Sequence, residues 1–129
     1  MTHFSRVNMI VIDVPDADHD QELAFWAAAT GSKLNHIGKF PEYHGGRLDA
    51  GAGDICMLVQ RLGDGPARIH IDIHTSDLEA EVTRLEQAGA TRLREANGWW
   101  IMRDPAGLVF CVVPDPPGTL TDDNAQRWD

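Results

Sequence analysis

Residues 68–89 read RIHIDIHTSDLEAEVTRLEQAG and place a β-strand directly before an α-helix. The first seven residues alternate charged or polar side chains with isoleucine, which is the pattern of a strand that has two different faces. His70, Asp72 and His74 therefore share one face of the predicted strand. Two imidazoles beside a carboxylate make this strand the first candidate for a functional site.

The second part of the stretch predicts a helix with clear start and stop signals. Ser76 and Glu79 form a capping box, in which Ser76 accepts a hydrogen bond from the backbone N–H of Glu79 while Glu79 reaches back. Gly89 follows the helix at the position where glycine commonly ends one. The apolar stripe of the helix consists of Leu78, Val82 and Leu85.

The same order of elements occurs twice along the chain. In the second half, the predicted helix is followed by three short strands, at 91–95, 99–103 and 108–113. In the first half, a strand at 7–12 precedes a helix that Gly31 ends, and three strands follow at 33–37, 46–50 and 54–60. The stripe of that first helix is Leu23, Trp26, Ala27 and Thr30. The fold class is therefore α+β, with two tandem βαβββ units.

The two halves also align in detail. Residues 52–57 lie over residues 106–111 at an offset of 54, which matches Met57 to Cys111, and the first strands match Asn8 to His70. We expect one domain over 1–129, with unit one at about 6–61, unit two at about 67–114 and an irregular polar tail at 115–129. The loop from Phe40 to Gly46 is also predicted to lack regular structure. The two mixed sheets are expected to curl around a concave cavity.

Composition and charge exclude several classes of function. The chain has 129 residues, with 11 Lys and Arg against 20 Asp and Glu, so its formal net charge is -9. An acidic chain without a basic cluster repels a phosphate backbone, and we therefore expect no nucleic-acid partner. No apolar run approaches the roughly 20 residues that cross a bilayer, and the first residues do not resemble a secretion signal. The expected location is cytoplasmic, without a membrane partner.

Three sequence features together resemble a known superfamily. They are the βαβββ duplication, the phrase His70-Ile71-Asp72-Ile73, and the turn Asp104-Pro105-Ala106-Gly107 that follows Trp99-Trp100-Ile101-Met102. The combination is similar to the vicinal oxygen chelate superfamily, and most to its glyoxalase-like domain branch (glyoxalase/bleomycin resistance protein/dioxygenase). The likeness spans about residues 6–114. It implies a ligand cavity built from both units and a homodimer.

The resemblance also implies positions for metal ligands. The metal-dependent enzymes of the superfamily place two ligands in each unit, and the matching positions here are Asn8, Met57, His70 and Cys111. Of these four, His70 is the one customary ligand, so we expect no catalytic metal and no other cofactor. A rearranged divalent-metal site remains open, in which Cys111 and His70 are joined by Asp72 or His74.

The polar strand face leaves two interpretations open. His70, Asp72 and His74 are candidates for acid-base catalysis, because a carboxylate orients a neighbouring imidazole and raises its basicity. Alternatively, the three side chains satisfy one another at a sheet face or at a dimer contact.

Other side chains are candidates for ligand contacts. Trp99 and Trp100 are adjacent on one strand and point to opposite faces, so one of them is expected to line the cavity. Arg103 could hold an anionic group of a ligand or be an ordinary surface charge. The predicted ligand-binding set is Asn8, Met57, Trp99, Trp100, Arg103 and Cys111.

The remaining histidines carry weaker expectations. His3 and His19 lie in polar segments and are expected to be solvated. His36 and His44 flank the loop around residues 40–43, where they either edge a cavity or are exposed.

The leading hypothesis is therefore a glyoxalase-like protein that binds a small organic ligand in the sheet cavity. The alternative is a lyase or isomerase that abstracts a proton next to a carbonyl, with His70 or His74 as the base and Asp72 orienting it. The identity of the ligand is not encoded in any motif of the chain.

Overall fold

The computed structural model describes residues 2–38, 43–47 and 55–129. A short 3-10 helix at Asp16–Asp18 precedes the first α-helix. The described strands and α-helices are, in chain order, β1 (His3–Pro15), α1 (His19–Thr30), β2 (Asn35–His36), β3 (Tyr43–Arg47), β4 (Cys56–Leu62), β5 (Arg68–Thr75), α2 (Leu78–Gln87), β6 (Thr91–Ala96), β7 (Trp99–Arg103), β8 (Val109–Pro114) and β9 (Gln126–Trp128). Neither of these helices is long and apolar enough to cross a membrane.

The chain forms two compact units. The first unit is Met9–His70, and the second unit combines Met1–Asn8 with Ile71–Asp129. The boundaries fall inside β1 and inside β5, so each of these strands contributes residues to both units.

In the first unit, β1 and β4 pair in parallel, from Met9 opposite Cys56 to Pro15 opposite Leu62. β3 is antiparallel to β4, and β2 is antiparallel to β3. A parallel pair needs a long crossover connection, and α1 supplies part of it. One face of the sheet packs against Leu23, Trp26 and Ala27 of α1, which confirms three residues of the predicted stripe. The buried residues of that layer are Ile12, Val14, Leu34, Met57 and Val59.

The second unit repeats this arrangement. β5 and β8 pair in parallel, β7 is antiparallel to β8, and β6 is antiparallel to β7. α2 covers one face through Leu78 and Leu85, which pack against the buried cluster Val82, Met102 and Val112. The α+β class and the βαβββ duplication are therefore confirmed.

The strand registers agree with the difference between the two predicted offsets. Met9 lies opposite Cys56, 47 positions later, and Ile71 lies opposite Phe110, 39 positions later. The difference, 47 - 39 = 8, equals the difference between the offsets of the first strands (70 - 8 = 62) and of the last strands (111 - 57 = 54). The two strand alignments are thus mutually consistent.

Two segments predicted to be irregular contain strands. In the tail 115–129, β9 pairs antiparallel with the start of β1, where the indole Nε1 of Trp128 donates to Oγ of Ser5 at 2.9 Å. The loop predicted from Phe40 to Gly46 overlaps β3, which begins at Tyr43, while its residues 40–42 lie outside the described part. β9 has three residues and no alternating pattern, so only its pairing with distant residues identifies it as a strand.

The N-cap of α2 differs from the predicted one by a single residue. Asp77 is the N-cap, and its carboxylate accepts from the backbone N–H of Ala80 at 3.1 Å. Ser76 instead accepts from the backbone N–H of Phe4 at 2.8 Å, which ties the start of β1 to the start of α2. The capping-box prediction for Ser76 is therefore wrong, because a contact distant in sequence occupies its hydroxyl.

A buried charged cluster joins α2 to β1 within the second unit. Glu81 is fully buried, accepts two hydrogen bonds from Arg84 at 2.7 and 2.8 Å, and lies 2.8 Å from Nε2 of His3. Burial by itself would raise the pKa of Glu81, but hydrogen bonds from Arg84, His3 and Ser5 outweigh it and hold the pKa below its ordinary value of 4.5. The expected solvation of His3 is wrong, since its ring is buried in this contact.

Replacing Glu81→Ala is expected to lower the free energy of unfolding by about 3 kcal/mol, because it leaves the buried ring of His3 and the half-buried guanidinium of Arg84 without their carboxylate. Urea unfolding at pH 7 measures the loss. Glu79→Ala is the matched control. Glu79 lies on the same helix, is exposed and pairs with Arg92 of β6, so its replacement should change stability little.

The same pair of variants tests the pKa. A carboxyl whose folded pKa lies below its unfolded value stabilises the protein above that unfolded value, and the contribution disappears as pH falls through the folded pKa. Stability of the wild type is therefore expected to fall below about pH 4.5 more steeply than stability of Glu81→Ala. Equal acid profiles for the two proteins would contradict this account of Glu81.

Candidate functional site

The second unit has one sheet face that α2 does not cover. Phe110 and Val112 of β8 pack with the cluster under α2, so Cys111 between them points to the opposite face. Asp72 lies opposite Cys111 in the parallel β5–β8 pair and shares that side. Ile101 of β7 lies opposite Cys111 in the antiparallel β7–β8 pair and also shares that side. We call this surface the polar face; it comprises Asp72, His74, Trp99, Ile101, Arg103, Cys111 and Val113.

His74 is held on both ring nitrogens. Its Nδ1 lies 2.7 Å from Oδ1 of Asp115, and its Nε2 lies 3.4 Å from Nδ2 of Asn8. An ionised carboxylate can only accept and an amide nitrogen can only donate, so Nδ1 carries the hydrogen and Nε2 carries the lone pair. The side chains of His74 and Asp115 are 15% and 16% exposed, which leaves this pair within reach of a small molecule.

Asp115 reaches His74 because of the parallel strand pairing. His74 lies opposite Val113, and Asp115 follows two residues later on the same side. The backbone N–H of Asp115 donates to the carbonyl of Thr75 at 2.8 Å and fixes the chain at this point. Asp115 lies at the start of the segment 115–129, which is predicted from the sequence to be an irregular tail. The register between the first and last strands of the unit is the signal that identifies it.

Asp72 and Cys111 form a second polar pair on the polar face. A carboxylate oxygen of Asp72 and Sγ of Cys111 lie within 4.8 Å of each other. The thiol is 8% exposed, and Asp72 is half-buried. Asp72 thus lies on the same face as His74, while the carboxylate hydrogen-bonded to the His74 ring is that of Asp115.

His70 belongs to the first unit and has a carboxylate of its own. Its Nδ1 lies 2.5 Å from Oδ2 of Asp13, whose side chain is 3% exposed. The first strand predicted from the sequence ends at residue 12, whereas β1 continues to Pro15 and includes Asp13. His70 and His74 each therefore combine with a different aspartate.

The predicted metal-ligand positions do not form a good donor set. Met57 is 7% exposed and packs in the apolar layer against α1, and the amide of Asn8 is engaged with His74. A catalytic divalent ion needs about three protein ligands from imidazole, carboxylate or thiolate. Asp72 and Cys111 place two donors of the suitable kind close together in the second unit.

Met57 and Cys111, which the repeat alignment equates, lie on different sides of their sheets. Met57 packs toward α1 in the first unit, whereas Cys111 points away from α2 in the second unit. Side chains alternate along a strand, so an alignment shifted by one residue reverses every face. An alignment of the two repeats that pairs side chains on the same face therefore differs by one residue from the predicted alignment of Met57 with Cys111.

The two adjacent tryptophans have different surroundings. Trp100 packs with the cluster under α2, and the guanidinium of Arg92 lies 5.0 Å from its ring centroid. Trp99 points to the polar face and is half-buried. Arg103 follows on the same side of β7 and is exposed.

Comparison with known proteins defines the class of fold. The methylmalonyl-CoA epimerase of Mycobacterium tuberculosis is 19% identical with a TM-score of 0.55, and the match covers 86% of this chain and 88% of that one. A Streptomyces coelicolor methylmalonyl-CoA epimerase in complex with 2-nitronate-propionyl-CoA is 17% identical with a TM-score of 0.58, covering 88% and 96%. A hypothetical protein from Bacillus halodurans is 17% identical with a TM-score of 0.57, covering 91% and 99%. At these identities the likeness establishes the fold.

The family follows from the sequence match. Residues 9–113 match the glyoxalase-like domain family, and this match covers most of the chain. The protein therefore belongs to the glyoxalase-like domain family, within the vicinal oxygen chelate superfamily. No curated protein sequence matches it.

Asp115→Ala is expected to redistribute the tautomers of His74, because the acceptor that holds the hydrogen on Nδ1 is removed. Nitrogen-15 NMR of the imidazole rings above pH 8 measures the tautomer directly. The wild type should show mainly the Nδ1–H form of His74, and Asp115→Ala should show a larger fraction of the Nε2–H form. His36, which is exposed and lies outside the second unit, is the internal control. A wild-type ring with hydrogen on Nε2 would contradict the assignment.

Proposed function

We propose that the polar face of the second unit binds a small organic carbonyl compound and that His74 moves a proton on the carbon next to its carbonyl group. The observation that carries this proposal is the His74–Asp115 pair, with the second ring nitrogen facing the amide of Asn8. This is an isomerase- or lyase-type reaction.

His74 has the properties of a general base. The hydrogen bond to Asp115 leaves the lone pair on Nε2, which is the atom available to accept a proton. The weak 3.4 Å contact with Asn8 can be exchanged for a substrate C–H. When Nε2 takes the proton, the ring becomes cationic, and the carboxylate 2.7 Å away stabilises that charge.

The proton-transfer step balances without an oxidant or a second substrate. The C–H bond breaks, its proton goes to Nε2 of His74, and its electron pair moves into the carbonyl to form an enolate. Return of the proton from Nε2 to the same face of the carbon regenerates the base and the starting compound. Delivery of a proton from solvent to the opposite face inverts the carbon, and Nε2 then releases its own proton to solvent. Departure of a leaving group with its electron pair from the neighbouring carbon gives an elimination instead, and the proton on Nε2 passes to the leaving group or to solvent.

Binding is assigned to the rest of the polar face. Trp99, Ile101 and Val113 offer apolar area beside the polar groups, which is the usual composition of a small-molecule site. Arg103 lies on the same side of β7 and is suited to a carboxylate or phosphate group of the ligand. Several similar structures are of methylmalonyl-CoA epimerases, three of them in complex with 2-nitronate-propionyl-CoA, and this supports testing acyl thioesters first.

His74→Gln is expected to lower solvent-deuterium incorporation at the carbon next to the carbonyl by at least about a hundredfold, since general-base catalysis contributes on the order of 10²–10⁴ in rate. Mass spectrometry follows the exchange in D₂O, with methylmalonyl-CoA, propionyl-CoA and simple 2-substituted carbonyl acids as probes.

The control for that experiment is His36→Ala, which should retain the full exchange rate. Circular dichroism and the midpoint of thermal unfolding establish that His74→Gln remains folded. Exchange catalysed by the wild type and unchanged in folded His74→Gln would remove His74 as the base.

We also propose that this reaction does not need a resident divalent metal. Met57 packs in the apolar layer against α1 and the amide of Asn8 is engaged with His74, so neither offers a suitable donor at the positions that the superfamily uses. Protein treated with a chelator and dialysed is therefore expected to keep its exchange rate. A rate that falls with the chelator and returns with added metal, but not in Cys111→Ser or Asp72→Asn, would contradict the metal-free proposal.

A second candidate function is binding without turnover. Poor donors at the superfamily's metal positions favour it, because sequestration of a ligand needs a complementary surface but no reactive centre. Calorimetry separates the two functions: this candidate predicts binding that Trp99→Ala weakens and that His74→Gln leaves nearly unchanged, with no deuterium exchange in the wild type.

Two further expectations from the sequence stay predictions. They are a homodimer and a cytoplasmic location. Sedimentation equilibrium of the purified chain tests the first, and fractionation of the source cells tests the second.

A further inference from the structure

The side-chain amide of Asn8 faces the lone pair of His74. Asn8 lies on the part of β1 that belongs to the second unit, and it is half-buried. Its Nδ2 atom is 3.4 Å from Nε2 of His74. When His74 takes a proton from carbon, negative charge develops on the carbonyl oxygen of the ligand, and that oxygen needs a hydrogen-bond donor.

The orientation of this amide follows from Asp115. The Asp115 carboxylate can only accept, so it holds the ring hydrogen on Nδ1 of His74 and leaves the lone pair on Nε2. An amide oxygen turned toward that lone pair would be repelled, so the amide presents its nitrogen to the ring. The nitrogen carries two N–H groups, and the weak 3.4 Å contact engages one of them. Asn8 therefore has a donor to offer a ligand that reaches His74.

The donors of β7 lie farther along and across the sheet. Arg103 is opposite Val109, which is four residues from Val113, the residue opposite His74. Four residues of a strand span about 13 Å. β8 lies between β5 and β7, so the backbone of Trp99 is separated from that of His74 by two strand spacings, or about 10 Å. These side chains are therefore suited to parts of the ligand away from the reacting carbon.

Two other polar side chains of the second unit are engaged elsewhere. Arg6, two residues before Asn8, donates to the backbone carbonyl of Asn124 at 3.3 Å. The thiol of Cys111 is a weak donor and lies beside the carboxylate of Asp72. Within the described part of the second unit, Asn8 is thus the donor placed against the lone pair of the base.

The separation of the two nitrogens fits one carbonyl compound. The carbon next to a carbonyl group lies about 2.4 Å from the carbonyl oxygen, as bond lengths of about 1.52 and 1.23 Å require. A base needs that carbon at about 3–3.5 Å, and a donor needs the oxygen at about 2.9 Å. Four atoms with these separations close into one ring when the nitrogens are 3.4 Å apart, so the fit needs no shift of β1 against β5.

We propose that Asn8 is a catalytic residue whose amide N–H donates to the carbonyl oxygen of the ligand and stabilises the enolate formed when His74 takes the proton. This assignment rests on the reaction proposed for His74. The substrate C–H takes the place of the amide N–H at Nε2, and the N–H turns to the oxygen. The proton moves from carbon to Nε2, the electron pair moves onto the oxygen, and Asn8 keeps both of its hydrogens. A hydrogen bond to a charged oxygen is stronger than one to a neutral carbonyl, so Asn8 acts on the rate more than on substrate binding.

Asn8→Ala is expected to lower kcat for deuterium exchange by about a hundredfold and to change KM by less than about threefold, since one donor to a developing oxyanion contributes on the order of 10²–10³ in rate. Asn8→Asp keeps the shape of the side chain but has no N–H, and it should show a similar loss. Asn35→Ala is the matched control, because Asn35 is exposed on β2 of the first unit. The midpoint of thermal unfolding establishes that each variant is folded.

Calorimetry with two CoA thioesters gives a readout that a merely structural role would not move. 2-Nitronate-propionyl-CoA carries a planar anion at the carbon next to the thioester carbonyl, whereas propionyl-CoA is neutral there. The wild type is expected to bind the nitronate about a hundredfold more tightly than propionyl-CoA. Asn8→Ala is expected to reduce that ratio at least about tenfold, while a general disturbance of the surface would weaken both thioesters alike.

Several results would overturn the assignment of Asn8. They are unchanged exchange in folded Asn8→Ala, a wild type without preference for the nitronate, a preference that Asn8→Ala and Asn8→Asp retain, and a preference that Arg6→Ala removes while Asn8→Ala keeps it. Absence of exchange in the wild type overturns the reaction and the assignment together. Exchange that His74→Gln abolishes and Asn8→Ala retains overturns the assignment alone.

Discussion

The parallel pairing of the first and last strands of each βαβββ unit determines the rest of the structure. A parallel pair needs a crossover, and in both units a helix of that crossover packs on one side of the sheet. The covered side takes the apolar side chains, and strict alternation sends their neighbours to the other side. Cys111 and Val112 illustrate the result: Val112 is buried under α2, and Cys111 faces away from it.

The same pairing supplies the carboxylate that gives His74 its chemistry. Because β8 runs parallel to β5, the residue that follows β8 lies beyond the end of β5 on the same side as His74, and that residue is Asp115. Antiparallel pairing would have placed a residue from the start of β8 there. The tautomer of His74 and the lone pair on its Nε2 thus follow from strand direction as well as from residue type.

The local sequence pattern was sufficient to predict both α-helices and most of the strands. The features that it missed depend on pairing between segments that are distant in the sequence. The alternation in residues 68–74 was sufficient for β5 and for the common face of Asp72 and His74. Asp115 and β9 were missed because their roles depend on registers with residues far away in the sequence. Met57 was aligned one position away from the equivalent face, since the repeat is too divergent to distinguish neighbouring registers. His19 follows a run of aspartates that looks like a solvated segment, yet its ring is buried beside His44.

The central claim is that the sheet face away from α2 is the ligand-binding face of the second unit. Trp99 and Trp100 test it directly, because adjacent residues of β7 report on opposite faces. Nitrogen-15 NMR can follow both indole N–H signals during a titration. The titrant is whichever of the acyl thioesters and carbonyl acids named above binds the protein. The account predicts a concentration-dependent shift of the Trp99 signal with the Trp100 signal nearly unchanged. A shift of Trp100 without one of Trp99 would contradict it.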